Sequence, residues 1–194
     1  MLPALWVAKT GLSAQDTNLT VISNNLANVS TTGFKRDRAE FQDLLYQIRR
    51  QPGAQSSQST QIPSGLQLGT GAQPISTARI HTQGSLQMTG NDLDVAINGA
   101  GFLQILLPDG TTAYTRDGSF KLDSTRRMVT TDGYPLEPEI IIPENATSDS
   151  ITISAEGQVS VTVDKTKQDV GQITLARFVN PAGLQANGKN LFTV

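Results

Sequence analysis

The stretch "LWVAKTGLSAQDTNLTVISNNLANV", Leu5 to Val29, decides how this chain is to be read. Leu5, Ala8, Leu12, Gln15, Leu19, Ile22, Leu26 and Val29 follow one another at steps of 3, 4, 3, 4, 3, 4 and 3 residues, and seven of the eight are apolar. A repeat of about 3.5 residues keeps one narrow stripe of a helix against another helix while the pair supercoils. Gly33 then stands where a left-handed C-terminal cap is expected. The flanks of the seam are small or polar and scarcely charged: Ala4, Gly11, Asn18 and Asn25 on one side, Lys9, Asp16, Ser23 and Ser30 on the other, with Trp6, Val7 and Val21 on the outer side.

A solitary surface helix spends its outer face on Lys and Glu, whereas this one uses Thr, Asn and Ser. Thr10, Thr17, Thr20, Val21, Ile22 and the Asn residues at 18, 24, 25 and 28 are weaker helix formers than Ala, each costing up to about 0.7 kcal/mol. The helix therefore depends on packing and is expected to fray unless neighbours cover several of its sides. An ordinary amphipathic helix lying on its own domain's core is the competing reading. The uncharged flanks favour a wall of closely packed helices instead.

The rest of the composition narrows the possibilities. The formal charge is −2, with one Lys and one Asp in residues 1 to 33, a net +2 in residues 34 to 50 and a net −4 beyond, so no basic stripe is available to neutralise phosphates. This is not the charge pattern of a nucleic-acid-binding protein. Cysteine is absent, which removes disulfides, thiolate metal sites and cysteine nucleophiles together. No apolar run approaches the roughly 20 residues of a membrane-spanning helix. Lys9 follows the first apolar residues without a continuous apolar core behind it, so the N-terminus does not read as a cleaved secretory signal.

From Leu66 onward, alternating strands and Gly-containing turns replace the helical period. Phe102 to Leu107 and Thr111 to Thr115 flank Pro108-Asp109-Gly110 as a hairpin. Ser119 to Asp123 pairs with Arg127 to Thr131. Ile151 and Ile153 lead into Ala155-Glu156-Gly157, and Val159, Val161 and Val163 lead out of it. Ile173, Leu175 and Phe178 read as one more strand. Earlier in the chain, Phe41, Leu44, Leu45 and Ile48 fit one face of a second helix. In residues 51 to 65, Gln and Ser fill eight of fifteen positions with no charge, the composition of a flexible linker. The fold class expected is α+β, mainly β: an N-terminal helix, a connector, then an all-β domain of short strands.

Reaction chemistry finds little support. Gly99-Ala100-Gly101 would need a glycine at 104 to complete a dinucleotide loop, and Gln104 stands there, so it reads as a turn between strands. Gly90-Asn91-Asp92-Leu93-Asp94 resembles one turn of a calcium-binding β-roll, which requires tandem copies. His81 is the only histidine, so a Ser-His-Asp triad would have to be built around it. In a Thr/Gln-rich segment it reads as a surface residue. Asp109, Asp117 and Asp132 fall in turns, where a carboxylate bonds its local backbone. No enzyme, cofactor or metal site is expected, and nothing in these residues supports a peptidoglycan hydrolase.

Three blocks in order resemble a known family. "NNLANVSTTGFKR", Asn24 to Arg36, is similar to the N-terminal signature of bacterial flagellar axial proteins, those of the rod and hook. Asn24, Asn25, Leu26, Asn28, Thr32, Gly33, Phe34 and Lys35 are the positions that match it. "LDVAINGAGFLQI", Leu93 to Ile105, resembles a second block of the family. "YTRDGSFKLD", Tyr114 to Asp123, with "MVTTDGYPL", Met128 to Leu136, resembles a third. Within the family, Leu44 to Pro74 most resembles the longer segment of the distal-rod type.

That resemblance implies a structural subunit of the basal-body distal rod, polymerising into a helical tube that transmits torque from motor to hook. The implied division is 1–33 as assembly helix, 34–70 as a partly extended connector ordered against neighbours, and 71–194 as the β domain. The implied partners are other copies of the chain, neighbouring rod and hook proteins and the surrounding basal-body rings, with no nucleic acid and no membrane insertion. The implied location is the periplasm, reached through the flagellar export channel without a cleaved signal. Family members end in a helix that returns to pair with the first. This chain stops at Asn190 to Val194, so the resemblance implies a form lacking that helix. A proximal-rod or hook protein is the alternative within the family, and a secreted β-rich adhesin or binding module is the alternative outside it.

Overall fold

The computed structural model describes residues 3–55, 61, 63–146, 150–163 and 166–194. Much of the Gln/Ser-rich linker reading, residues 56–60 and 62, lies outside the described residues. Helix α1 spans Pro3–Ala27 and is followed by β1 (Asp37–Asp43), β2 (Tyr46–Arg50), β3 (Leu66–Gly69) and β4 (Ala72–Arg79). Next come β5 (Phe102–Leu106), β6 (Thr112–Thr115), β7 (Lys121–Leu122), β8 (Met128–Val129) and β9 (Leu136–Glu137). The chain ends with β10 (Ile151–Ile153), β11 (Gln158–Val163), β12 (Thr166–Gln172), β13 (Leu175–Ala176), β14 (Gln185–Gly188) and β15 (Leu191–Thr193). Among the described residues the fold is therefore one α-helix followed by many short strands, with a 3-10 turn at Pro181–Gly183, α+β and mainly β.

The chain divides into two compact units, Met1–Val29 with Arg36–Ile80, and Ser30–Lys35 with His81–Val194. In the first unit α1 packs on β1 and β4, which form a two-stranded antiparallel sheet. The ladder runs from Asp37 opposite Arg79 to Asp43 opposite Ala72 and slips between Glu40 and Phe41. Pro74 stands opposite Phe41 beside that slip, where a residue with no N–H to donate is tolerated. Strands β2 and β3 form a second antiparallel pair. The helical reading of Phe41, Leu44, Leu45 and Ile48 is thus corrected: these residues lie in or between β1 and β2. Arg, Glu and Gln favour a helix locally, but pairing with strands far along the sequence overrides that weak preference.

In the second unit β5 is central. It pairs with β6 along one edge, and β9 and β13 share the other; β15 and then β14 continue the sheet beyond β6. Strands β10, β11 and β12 form a separate three-stranded sheet, and β7 pairs with β8. The hairpins expected around Pro108-Asp109-Gly110, between 119–123 and 127–131, and around Ala155-Glu156-Gly157 are all present. The strand expected through Ile173, Leu175 and Phe178 is reduced to β13, with Ile173 buried just before it and bonded through its N–H to the Gly157 carbonyl. Leu103, Ile105, Phe120, Met128, Val159 and Val161 anchor one continuous core. Burying side chains of this size is worth roughly 1.5–3 kcal/mol each, so this unit carries its own hydrophobic stabilisation.

Candidate assembly helix and signature segment

Helix α1 presents two different stripes. Among its described residues only Ala14 is buried, and Thr10, Gly11, Thr17, Asn18, Val21 and Asn25 are half-buried. These residues form the face laid on β1 and β4, and Asn28 continues the same stripe past the helix end. Small and polar side chains let the helix approach closely. A Cβ built on Gly71, just before β4, would lie 1.9 Å from the Thr10 Oγ1, and Gly71 also has φ +122°. Val21, expected on the outer side, belongs instead to this covered face.

The leucine seam lies one residue further along at each step, turned by about 100° around the axis. Leu5, Ala8, Leu12, Gln15, Leu19, Ile22 and Leu26 are all exposed, Leu12 and Leu26 by 72% and 71%. Val29, the last seam position, is also exposed and stands beyond the helix, which ends at Ala27. The helix is therefore seated on its own unit, but by the face without the leucines.

The signature residues divide between the two units. Asn24 and Asn28 close the end of the helix: the Asn28 Nδ2 donates to the Asn24 carbonyl at 3.0 Å and to the Asn24 Oδ1 at 3.2 Å. Asn25 reaches β1, donating from Nδ2 to the Asp37 carbonyl at 2.8 Å while its Oδ1 accepts the Asp37 N–H at 2.9 Å. The Asp37 carboxylate is gripped in turn by Arg79, with Nε on Oδ1 and Nη2 on Oδ2, both at 2.8 Å. Such two-point, charge-assisted pairing fixes direction as well as distance.

Thr32, Gly33, Phe34 and Lys35 belong to the second unit. The Thr32 carbonyl accepts a bond from Asn190 Nδ2 at 2.9 Å, and the Lys35 Nζ donates to the Thr82 carbonyl at 2.8 Å. The Phe34 N–H closes a turn on the Thr31 carbonyl at 3.2 Å. Burial, and then the neighbouring Arg116 guanidinium, lower the Lys35 pKa. Gly33 is not a helix cap, since the helix has ended six positions earlier. Its φ of +74° and a would-be Cβ only 2.7 Å from the Asp117 nitrogen explain the glycine. Asp37, Arg79, Thr10, Gly71 and Asn190 were missed by sequence reasoning; their partners lie far along the chain, so no short motif announces them.

His81 also departs from the surface reading. Its ring meets Phe102 edge-on at 5.6 Å and Phe192 at 6.3 Å, with both ring nitrogens removed from water. Phe178 and Tyr114 extend the same aromatic cluster. Asp109, which bonds the Thr111 N–H and hydroxyl, and Asp117, which does the same for Ser119, hold their turns as expected.

Two family descriptions match this chain: residues 5–35 match "Flagella basal body rod protein", and residues 96–161 match "Flagellar hook protein FlgE/F/G D1 domain". The helix with its signature, and the β unit behind it, thus define a bacterial flagellar axial protein. The flagellar basal-body rod protein FlgG of Buchnera aphidicola subsp. Acyrthosiphon pisum is 57% identical over 99% of this chain and 74% of its own length. The FlgG of Borreliella burgdorferi is 53% identical over 99% of this chain and 73% of its own. The flagellar hook protein FlgE of Helicobacter pylori is 32% identical over 96% of this chain but only 26% of its own length. The chain belongs to the flagellar basal-body rod protein FlgG family, and its function is that of a structural subunit of the rod. It spans about three quarters of the length of the FlgG relatives.

Proposed function

We propose that this chain polymerises with copies of itself as the distal part of the rod, forming a helical tube that passes torque from the motor to the hook. Residues 1–33 are the assembly element, 34–70 the distal-rod-specific connector, and 71–194 the β domain. Identical subunits joined through unlike surfaces build an open helical polymer whenever the rotation between them does not close. The neighbouring rod and hook proteins and the surrounding basal-body rings are its further partners. It acts in the periplasm, after export through the flagellar channel, and its role is mechanical and non-enzymatic.

The observation that supports this reading is the exposed stripe of Leu5, Leu12, Leu19, Ile22 and Leu26 on a helix whose other stripe is already seated. Leaving five large apolar side chains in water forgoes roughly 1.5–3 kcal/mol apiece, which other subunits recover on assembly. A carboxylate in the middle of the stripe would have to be buried without a partner. Cells carrying Leu19→Asp in the gene for this chain are expected to build no rod and to be non-motile, while the purified variant keeps its β core. Normal rods and motility in those cells would refute the assignment.

A further inference from the structure

Asn-Gly is the dipeptide in which a backbone nitrogen most readily attacks the preceding side chain, because glycine places no Cβ in the way and rotates freely. The chain holds two, Asn98-Gly99 and Asn187-Gly188, and all four residues are exposed. Their surroundings differ. Gln83 straddles the first: its Nε2 donates to the Ile97 carbonyl at 3.0 Å, and its Oε1 accepts the Gly99 N–H in a longer bond of 3.4 Å. Arg116 completes the clamp, donating from Nη2 to the Gly99 carbonyl. Its guanidinium is steadied over the Phe102 ring, 5.7 Å from the centroid. The peptides on both sides of Asn98 are thereby held, and the nitrogen that would attack is engaged.

Asn187 has a different setting. The β14–β15 register slips between Ala186 and Gly188, leaving Asn187 as the residue without a partner in the ladder. Its Nδ2 donates to the Thr193 Oγ1 at 3.2 Å. Gln83 and Arg116 form no part of this hairpin, so it is an internal reference.

We infer that Asn98-Gly99 is a latent site of spontaneous deamidation, and that Gln83, with Arg116, holds it in check. The reaction needs only water. The Gly99 nitrogen loses its proton and forms a bond to the Asn98 Cγ; the Cγ–Nδ2 bond breaks and ammonia leaves. Water then opens the five-membered imide to aspartate or to isoaspartate, with no change in oxidation state. Either product places a carboxylate beside Gly99. The isoaspartyl form also inserts an extra methylene into the backbone a few residues before Phe102 and Leu103, which are buried at the start of β5.

The test is a time course on the purified chain in mildly alkaline buffer, with peptide mapping by mass spectrometry at both Asn-Gly pairs. Gln83→Ala is expected to raise conversion at Asn98 roughly fivefold, the factor one net hydrogen bond is worth, while conversion at Asn187 stays at the wild-type rate. Gln83→Glu, which keeps the acceptor for Gly99 and loses the donor to Ile97, is expected to fall between the two. Conversion at Asn98 that is unchanged in Gln83→Ala overturns the inference. So does a parallel rise at both sites, because that result reports general loosening.

Discussion

The side-chain amide of Asn25 pairs with both backbone groups of Asp37, donating at 2.8 Å and accepting at 2.9 Å, and so completes on a helix the kind of exchange one strand makes with another. The end of α1 is registered against β1 by this contact, and Arg79 on β4 holds the same residue through its carboxylate.

Replacing Asn25 with Ala removes a donor and an acceptor at a part-buried site, and two such bonds contribute about 1–3 kcal/mol. Asn25→Asp is expected to be worse than Ala, because it sets a carboxylate oxygen against the Asp37 carbonyl. Urea unfolding followed by far-ultraviolet circular dichroism checks the order. An Asp variant as stable as wild type would contradict the pairing.

Gly71→Ala drives a methyl group into Thr10 and imposes a side chain on a φ of +122°. A loss of more than about 1 kcal/mol is expected. Adding Thr10→Ala relieves the nearest clash but not the backbone strain, so the double variant recovers only part of the loss. Complete recovery would show that the backbone conformation is unimportant there.

Gly33→Ala has no side chain to push aside: the new Cβ meets the backbone of Arg116 and Asp117 at 2.7–3.0 Å. Its loss is also expected to exceed about 1 kcal/mol. Because residues 30–35 belong to the second unit, the effect should be seen in the melting of that unit, read by hydrogen exchange at β5 and β6. Unchanged exchange there would break the assignment.

Asp123 supplies a pH signature. The Arg127 backbone N–H first, and then the Thr125 hydroxyl, hold its carboxyl at about 2 against an ordinary 3.8. A carboxylate depressed on folding contributes stability that is fully present above the ordinary value and is lost as pH falls through the folded value. Asp123→Asn is therefore expected to lower the thermal midpoint at neutral pH, with the gap to wild type closing between about pH 4 and pH 2. A gap that stays constant across that range would remove the carboxylate's charge from the account.

The parts legible in the sequence were those with local causes. The 3-4 spacing of α1, the Pro-Asp-Gly hairpin and the alternating valines of β11 each carry their signal within a few residues. Strands β1 and β2 were hidden because Arg, Glu and Gln are at home in helices and the pairing partners, such as Leu66 for Arg50 and Arg79 for Asp37, lie well beyond any local pattern. The edge strands β12 and β14 are mostly polar and lack an alternating pattern. At the candidate site the exposed seam was visible in advance, whereas the grip of Asn25 on Asp37 and Arg79 was not. An asparagine in a motif does not reveal which distant backbone it bonds.

The two stripes of α1 differ by a single position along its length, and that offset constrains how the helix can change. Adding or deleting one residue between Leu5 and Leu26 would rotate everything on one side of the change by about 100°, turning leucines onto the strands and amides outward. Seven residues at a time is the smallest alteration that leaves both stripes in phase. Substitutions can drift one by one, but the length of this segment is effectively quantised.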